Sequence, residues 1–142
     1  MTEARSKGAR RKAREAALQV LYQMDLTGQT AERALSLYWA HLGVGSGARD
    51  FAETLVRGYA AHGDEVDARI RDVSHHWRLE RMARVDRNIL RLGTCELMQM
   101  DDVPRRVTLN EAVELAKRFG SDGSPSFVNG VLDRIASDLG KA

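Results

Sequence analysis

Between Met1 and Arg14 the chain carries six basic side chains, Arg5, Lys7, Arg10, Arg11, Lys12 and Arg14, against the single acid Glu3. Lys7, Arg10, Arg11 and Arg14 recur at spacings of three and four, which aligns them along one side of a helix. Leu18 and Tyr22 continue that stripe at further steps of four, off the centre of the apolar face made by Ala13, Ala17, Val20, Leu21 and Met24. Guanidinium groups pair with phosphates through charged, forked hydrogen bonds, and arginine or aromatic planes stack on unpaired bases. A basic stripe running into an aromatic therefore suits RNA. Its competing reading is a solvated basic N-terminus.

Other chemistry-bearing residues do not assemble into a catalytic constellation. His75 and His76 are adjacent, so they point in different directions and lack the i, i+4 spacing of a helical zinc pair. Cys95 falls inside an apolar helical pattern and reads as a small buried hydrophobe. Asp101 and Asp102 stand beside a loop, where turn formation or solvation is expected. Gly43 to Gly47 is glycine-rich but lacks the Lys-Ser/Thr of a phosphate-binding loop, and no strand precedes it. No enzyme activity, metal or other cofactor is expected.

The elements that position these residues read as helices. The chain has 142 residues, 43% of them apolar, and is the size of one domain that needs no disulfide to hold its core. Its net charge is +2, yet residues 1–14 carry +5 and the remainder −3, an asymmetry that points to a polyanionic partner. A lone cysteine suits a reducing cytoplasm, and no apolar run is long enough to span a bilayer, so no membrane partner is expected.

Helices are expected from Ala9 to Thr27 with Gly28 as the left-handed stop, and from Thr30 as N-cap to His41, with Gly43 ending it. A third runs from Ala48 to Val73 with a bend near Gly63, followed by a break over Ser74–Arg78. A helix from Met82 to Met100 comes next, then Pro104 in a loop. Thr108-Leu-Asn-Glu111 has the spacing of a capping box that opens another helix ending at Phe119-Gly120. Ser124-Pro125 reads as N-cap and first position of the last helix, whose buried stripe is Val128, Val131, Leu132, Ile135 and Leu139. About seven helices and no convincing strand give an all-α bundle. The expected organisation is a single domain, 1–142, with sub-bundles at 9–76 and 77–142 and a disordered basic arm over 1–8.

Three segments then resemble the NusB family of transcription antitermination factors. The first is Arg10-Arg11-Lys12-Ala13-Arg14-Glu15 leading into Ala17-Leu18-Gln19-Val20-Leu21-Tyr22. The second is Asp86-Arg87-Asn88-Ile89-Leu90-Arg91-Leu92-Gly93 followed by Glu96-Leu97. The third is Val103-Pro104, then Leu109-Asn110-Glu111-Ala112-Val113-Glu114-Leu115-Ala116-Lys117 to Phe119-Gly120, closed by Phe127-Val128-Asn129-Gly130-Val131-Leu132-Asp133. Residues 28–80 are only loosely family-like.

The resemblance implies an all-α fold of two packed helical sub-bundles. It implies an RNA target, the single-stranded boxA element of ribosomal RNA leader transcripts. It also implies partners, the ribosomal protein that serves as NusE and the transcribing RNA polymerase complex with other Nus factors. By this likeness Lys7, Arg10, Arg11, Arg14 and Phe127 would contact RNA, and Leu18, Tyr22 and Asp86 would face the NusE side. Each transfer has a plainer reading. Phe127 would staple the last helix to the core, Asp86 would favour a helix dipole, and Asn129-Gly130 would allow close helix packing. The loop Ser121–Ser126 departs from the family pattern: charged side chains usual around Gly123 and Ser126 are missing, which leaves backbone N–H groups for a phosphate. Two other functions fit a helical domain. One is a protein-interaction module that never touches RNA. The other is a homologue of the non-catalytic N-terminal domain of ribosomal RNA cytosine methyltransferases, whose Rossmann-like sheet has no counterpart in the twelve residues after Gly130.

Overall fold

The computed structural model describes the backbone of residues 3–41 and 46–142, with side chains from Gly8 to His41 and from Gly47 onward. Six α-helices and one 3-10 turn make up its regular structure among the described residues: α1 (Glu3–Thr27), α2 (Ala31–His41), α3 (Ser46–Val73), the 3-10 turn Leu79–Arg81, α4 (Arg84–Gln99), α5 (Arg105–Phe119) and α6 (Ser124–Asp138). The chain divides into two compact units, Met1–Ala61 and His62–Ala142. The division falls inside α3, where His62 leaves helical geometry (φ −123°, ψ 22°) beside Gly63. The expected bend is therefore present, and the two compact units divide there.

In the first unit α1 is rich in alanine, arginine, leucine and glutamine, all strong helix formers. It is helical from Glu3, six residues before the expected start, and Gly28 ends it at φ +76°, where the Gly28 N–H donates to Met24 O at 2.8 Å. The Thr30 hydroxyl accepts from the Arg33 N–H at 3.2 Å, the expected cap of α2. Gly43, expected to stop α2, lies outside the described residues. Buried side chains here are mostly small, Ala13, Ala16, Ala17, Val20, Ala31, Ala34 and Ala52 among them, with Leu21, Leu35 and Leu55 filling the larger spaces. Between α2 and α3, the Arg57 guanidinium forks onto Glu32 at 2.9 and 3.2 Å and reaches Glu53 at 2.9 Å. Arg57 holds the Glu32 carboxyl below its usual range.

The second unit is built on α4, where Arg87–Leu90 and Leu92–Leu97 are all buried, close to the full circumference of the helix. Most polar side chains of a helix buried all round must find partners inside the fold, although the buried Thr94 hydroxyl has none among the described residues. Arg87 donates to Leu79 O at 3.1 Å and Glu80 O at 3.4 Å, fixing the 3-10 turn. Arg91 forks onto Asp67 of α3 at 3.0 and 3.1 Å. Asn88 donates to Arg84 O at 2.9 Å. Much of the second family-like segment thus performs scaffolding.

The α5 start corrects the capping-box expectation. Pro104 is the N-cap, Arg105 opens the helix, and Thr108 lies one turn inside, buried, with its hydroxyl donating to Glu96 Oε1 of α4 at 3.1 Å. Proline fixes φ and lacks an N–H, so it starts the helix before Thr108 is reached. Ser124 is likewise the first residue of α6, not its cap; its buried hydroxyl accepts from the Ser121 N–H at 3.0 Å and closes the preceding turn. Gly120 is required there, because a Cβ would stand 2.6 Å from Ser124 Cβ. Arg105 Nη2 ties α5 to α6 by donating to Asp133 Oδ1 at 2.7 Å and Ser137 Oγ at 2.8 Å. Val128, Val131, Leu132 and Ile135 are buried as expected, whereas Leu139 is half-buried just past the helix end.

Thr108→Val removes the donor to Glu96 without changing shape. Leaving a buried carboxylate oxygen short of a partner is expected to destabilise the protein by about 1–3 kcal/mol in urea unfolding. Thr108→Ser, which keeps the hydroxyl, should lose less; equal stability of Thr108→Val and wild type would mean the contact carries no weight.

Candidate nucleic-acid interface

In the first unit the basic stripe is split between a fixed and an exposed set. Arg10 is half-buried and Arg14 only 4% exposed. Both guanidiniums lie over the ring of Phe51 on α3, with Cζ atoms 4.8 Å (Arg10) and 5.2 Å (Arg14) from its centroid. Attraction between a cation and a ring face is worth about 0.5–2 kcal/mol each. A neutral ring orients two cations without itself cancelling their charge, as a carboxylate would. Arg11 and Lys12 point to solvent, which leaves two cations on the outside of the helix beside the fixed pair. The Lys7 side chain lies outside the described residues.

The same geometry places the partner-side residues of α1. Leu18 is 4% exposed and belongs to the core, not to the outer stripe expected of it. The buried set on α1 includes Ala13, Arg14, Ala16, Ala17, Leu18, Val20 and Leu21. At 100° per residue it covers roughly 200° of the circumference, wider than a single apolar stripe. Tyr22, one turn on, is half-buried.

In the second unit Phe127 is half-buried in the first turn of α6 and meets Trp77 edge to face, with ring centroids 6.2 Å apart and planes at 75°. Trp77 is 64% exposed and sits in the turn between α3 and the 3-10 turn, with exposed Arg78 and Arg81 beside it. Asp86 is half-buried in the first turn of α4, and its buried Oδ1 has no hydrogen-bond partner among the described residues. Asn129 and Gly130 are exposed, and a Cβ on Gly130 would meet nothing within 4 Å, so close packing within the chain does not require that glycine.

Sequence reasoning grouped Arg10, Arg11 and Arg14 correctly on one helix but missed Phe51 and Trp77. Phe51 pairs with α1 only through the fold. Trp77 carried a usable signal, a tryptophan in a polar break between histidines and arginines. His75 and His76 are exposed and Cys95 is buried, with burial pushing its thiol up to about 12. Among the described residues no group of three or more His, Cys, Asp or Glu could hold a metal ion, and no helix is long and apolar enough to cross a membrane.

Comparison with known proteins matches residues 11–137 to the NusB family model. The chain is 53% identical over 134 residues to a transcription antitermination protein NusB from Sorangium cellulosum, covering 94% of this chain and 96% of that one. Among solved structures it is similar to T. maritima NusB, with a TM-score of 0.85, 37% identity and 91% of both chains covered. It is also similar to a chain from the crystal structure of antitermination factors NusB and NusE in complex with dsRNA, with a TM-score of 0.84 and 30% identity, covering 92% of this chain and 97% of that one.

Two outcomes follow from the placement of these side chains. Arg14→Ala removes a buried side chain stacked on Phe51 and is expected to cost about 1–3 kcal/mol in urea unfolding, while the exposed Arg11→Ala stays within about 0.5 kcal/mol of wild type. Equal losses would show that Arg14 is no more embedded than Arg11. A thiol held protonated by burial should also resist alkylation at pH 8 in the folded protein and react only after unfolding, as mass spectrometry would read.

Proposed function

We propose, from the premise that this chain belongs to the NusB family, that it is an RNA-binding transcription antitermination factor and not an enzyme. It binds the boxA element of ribosomal RNA leader transcripts together with the ribosomal protein NusE, and helps the RNA polymerase complex pass terminators. The observation that carries this reading is the cationic face of α1: Arg11 and Lys12 exposed beside Arg10 and Arg14 fixed on Phe51. The neighbour solved with NusE and double-stranded RNA supports both partners. The relative's near-complete coverage favours antitermination over a methyltransferase accessory domain. Such a factor acts where transcripts are made, in the cytoplasm.

The residues divide by role. Arg11 and Lys12 contact phosphate directly, Arg10 contributes from its half-buried position, and Lys7 adds to the same field. Arg14 acts chiefly as a fixed charge held under the surface. Phe127 offers a ring for stacking on a base. Tyr22 and Asp86 face NusE, while Leu18, one turn before Tyr22, belongs to the core.

Each phosphate neutralised on a single strand contributes about 0.7 to the slope of log affinity against log salt. Fluorescence anisotropy with boxA-like and scrambled single-stranded RNA, with and without NusE, tests the reading. Preference for boxA, strengthened by NusE and weakened by Arg11→Ala with a salt slope shallower by about 0.7 per lost contact, is expected. Equal, feeble binding of both RNAs, whatever the partner, would leave a protein-interaction module with a basic end.

A further inference from the structure

Trp77 is one of three large hydrophobic side chains exposed among the described residues, and the most exposed, at 64%. Indole rings usually bury most of their surface, so one left in water on a fixed support is available for contact. The support is rigid for identifiable reasons. The Trp77 N–H donates to Ser74 O at 2.9 Å, the buried Ser74 hydroxyl donates to Ile70 O at 2.6 Å, and Arg87 clamps the following turn through Leu79 O at 3.1 Å. On its inner side the indole meets Phe127 at 6.2 Å, edge to face.

The surroundings say what kind of partner fits. Arg78, which precedes the 3-10 turn, and Arg81, its last residue, are exposed, while the acid between them, Glu80, is drawn to Arg71 at 2.7 Å. The local balance is cationic. One position from Phe127 along the surface of α6, three residues on, Gly130 is exposed and bare of neighbours, so another backbone can approach closely there. A flat aromatic, flanking guanidiniums and a gap beside them match an unpaired nucleotide: base on the ring, phosphate on arginine, sugar in the gap.

We infer that Trp77 is a base-stacking residue for RNA, forming with Phe127 a two-ring corner that takes one unpaired base, with Gly130 leaving room for its sugar–phosphate. The assignment rests on the RNA-binding reading and adds a specific contact in the second unit. It gives the outer, exposed face to Trp77 and makes Phe127 the inner wall.

The chain has two tryptophans, so Trp39→Phe leaves Trp77 as the sole indole reporter. Titration of that variant with boxA-like single-stranded RNA should quench its emission saturably, at the same concentrations at which anisotropy reports binding. In the otherwise unaltered chain, Trp77→Ala should weaken binding on the order of 5- to 100-fold with an unchanged salt slope, because stacking releases no counterion. Trp77→Phe should recover most of the loss, and thermal unfolding of each variant should match wild type, since the side chain is mostly in solvent. Gly130→Ala should weaken binding while leaving the fold intact. Unquenched emission, or RNA affinity unchanged in Trp77→Ala while Arg11→Ala still weakens it, would overturn the stacking role and leave the RNA-binding reading standing. Loss of NusE affinity alone in Trp77→Ala would reassign the corner to a protein. Absence of RNA binding by wild type would remove both.

Discussion

The ring of Phe51 lies under two guanidiniums, Arg10 at 4.8 Å and Arg14 at 5.2 Å, and this contact decides what the first helix can offer a ligand. Helix α1 buries about half of its circumference and must still present positive charge. An arginine can serve both ends because its stem is apolar and its head stays charged. Phe51 gives the guanidiniums of Arg10 and the 4%-exposed Arg14 a ring face to rest on, beside the exposed Arg11 and Lys12. Binding energy follows from preorganisation: side chains already held in place lose less rotamer freedom when a phosphate arrives.

The second unit applies the same economy with hydrogen bonds. Arg87 fixes the 3-10 turn, Arg91 grips Asp67, Thr108 satisfies Glu96, and Arg105 ties α5 to α6 through Asp133. These polar groups bond within the unit, support the largely buried α4 and hold the turn that follows Trp77. Family-like residues therefore sort into two kinds here. Arg87, Arg91 and Asp133 hold the scaffold, while Arg11 and Phe127 remain reachable.

Helix type and order were legible because apolar spacing, Gly28, Thr30, Pro104 and the pair Phe119-Gly120 each carry a local physical signal. Boundaries failed where two local signals competed. Thr108 and Glu111 have capping-box spacing, but Pro104 starts the helix one turn earlier and Thr108 is drawn inward to Glu96. A polar break such as 74–78 reads as a linker, whereas the compact units divide at His62, where the helix bends beside a glycine without stopping. Leu18 and Arg14 were assigned to an outer stripe on the assumption of one narrow apolar face, and the buried arc of α1 is wider than that. Phe51 was invisible for a different reason: its contact with α1 is made by the fold, between residues some forty apart in sequence, and no periodicity encodes it.

Photo-crosslinking of the full chain to 4-thiouridine-substituted boxA-like RNA in the presence of NusE, with peptides identified by mass spectrometry, tests the central claim most directly. Crosslinks on α1 around Arg11 and Lys12, together with crosslinks at Trp77 or Phe127, are the predicted result. Crosslinks confined to other surfaces, such as the exposed side of α2 or the Asp101-Asp102 turn, would contradict the assignment of the cationic helix and the aromatic corner to RNA.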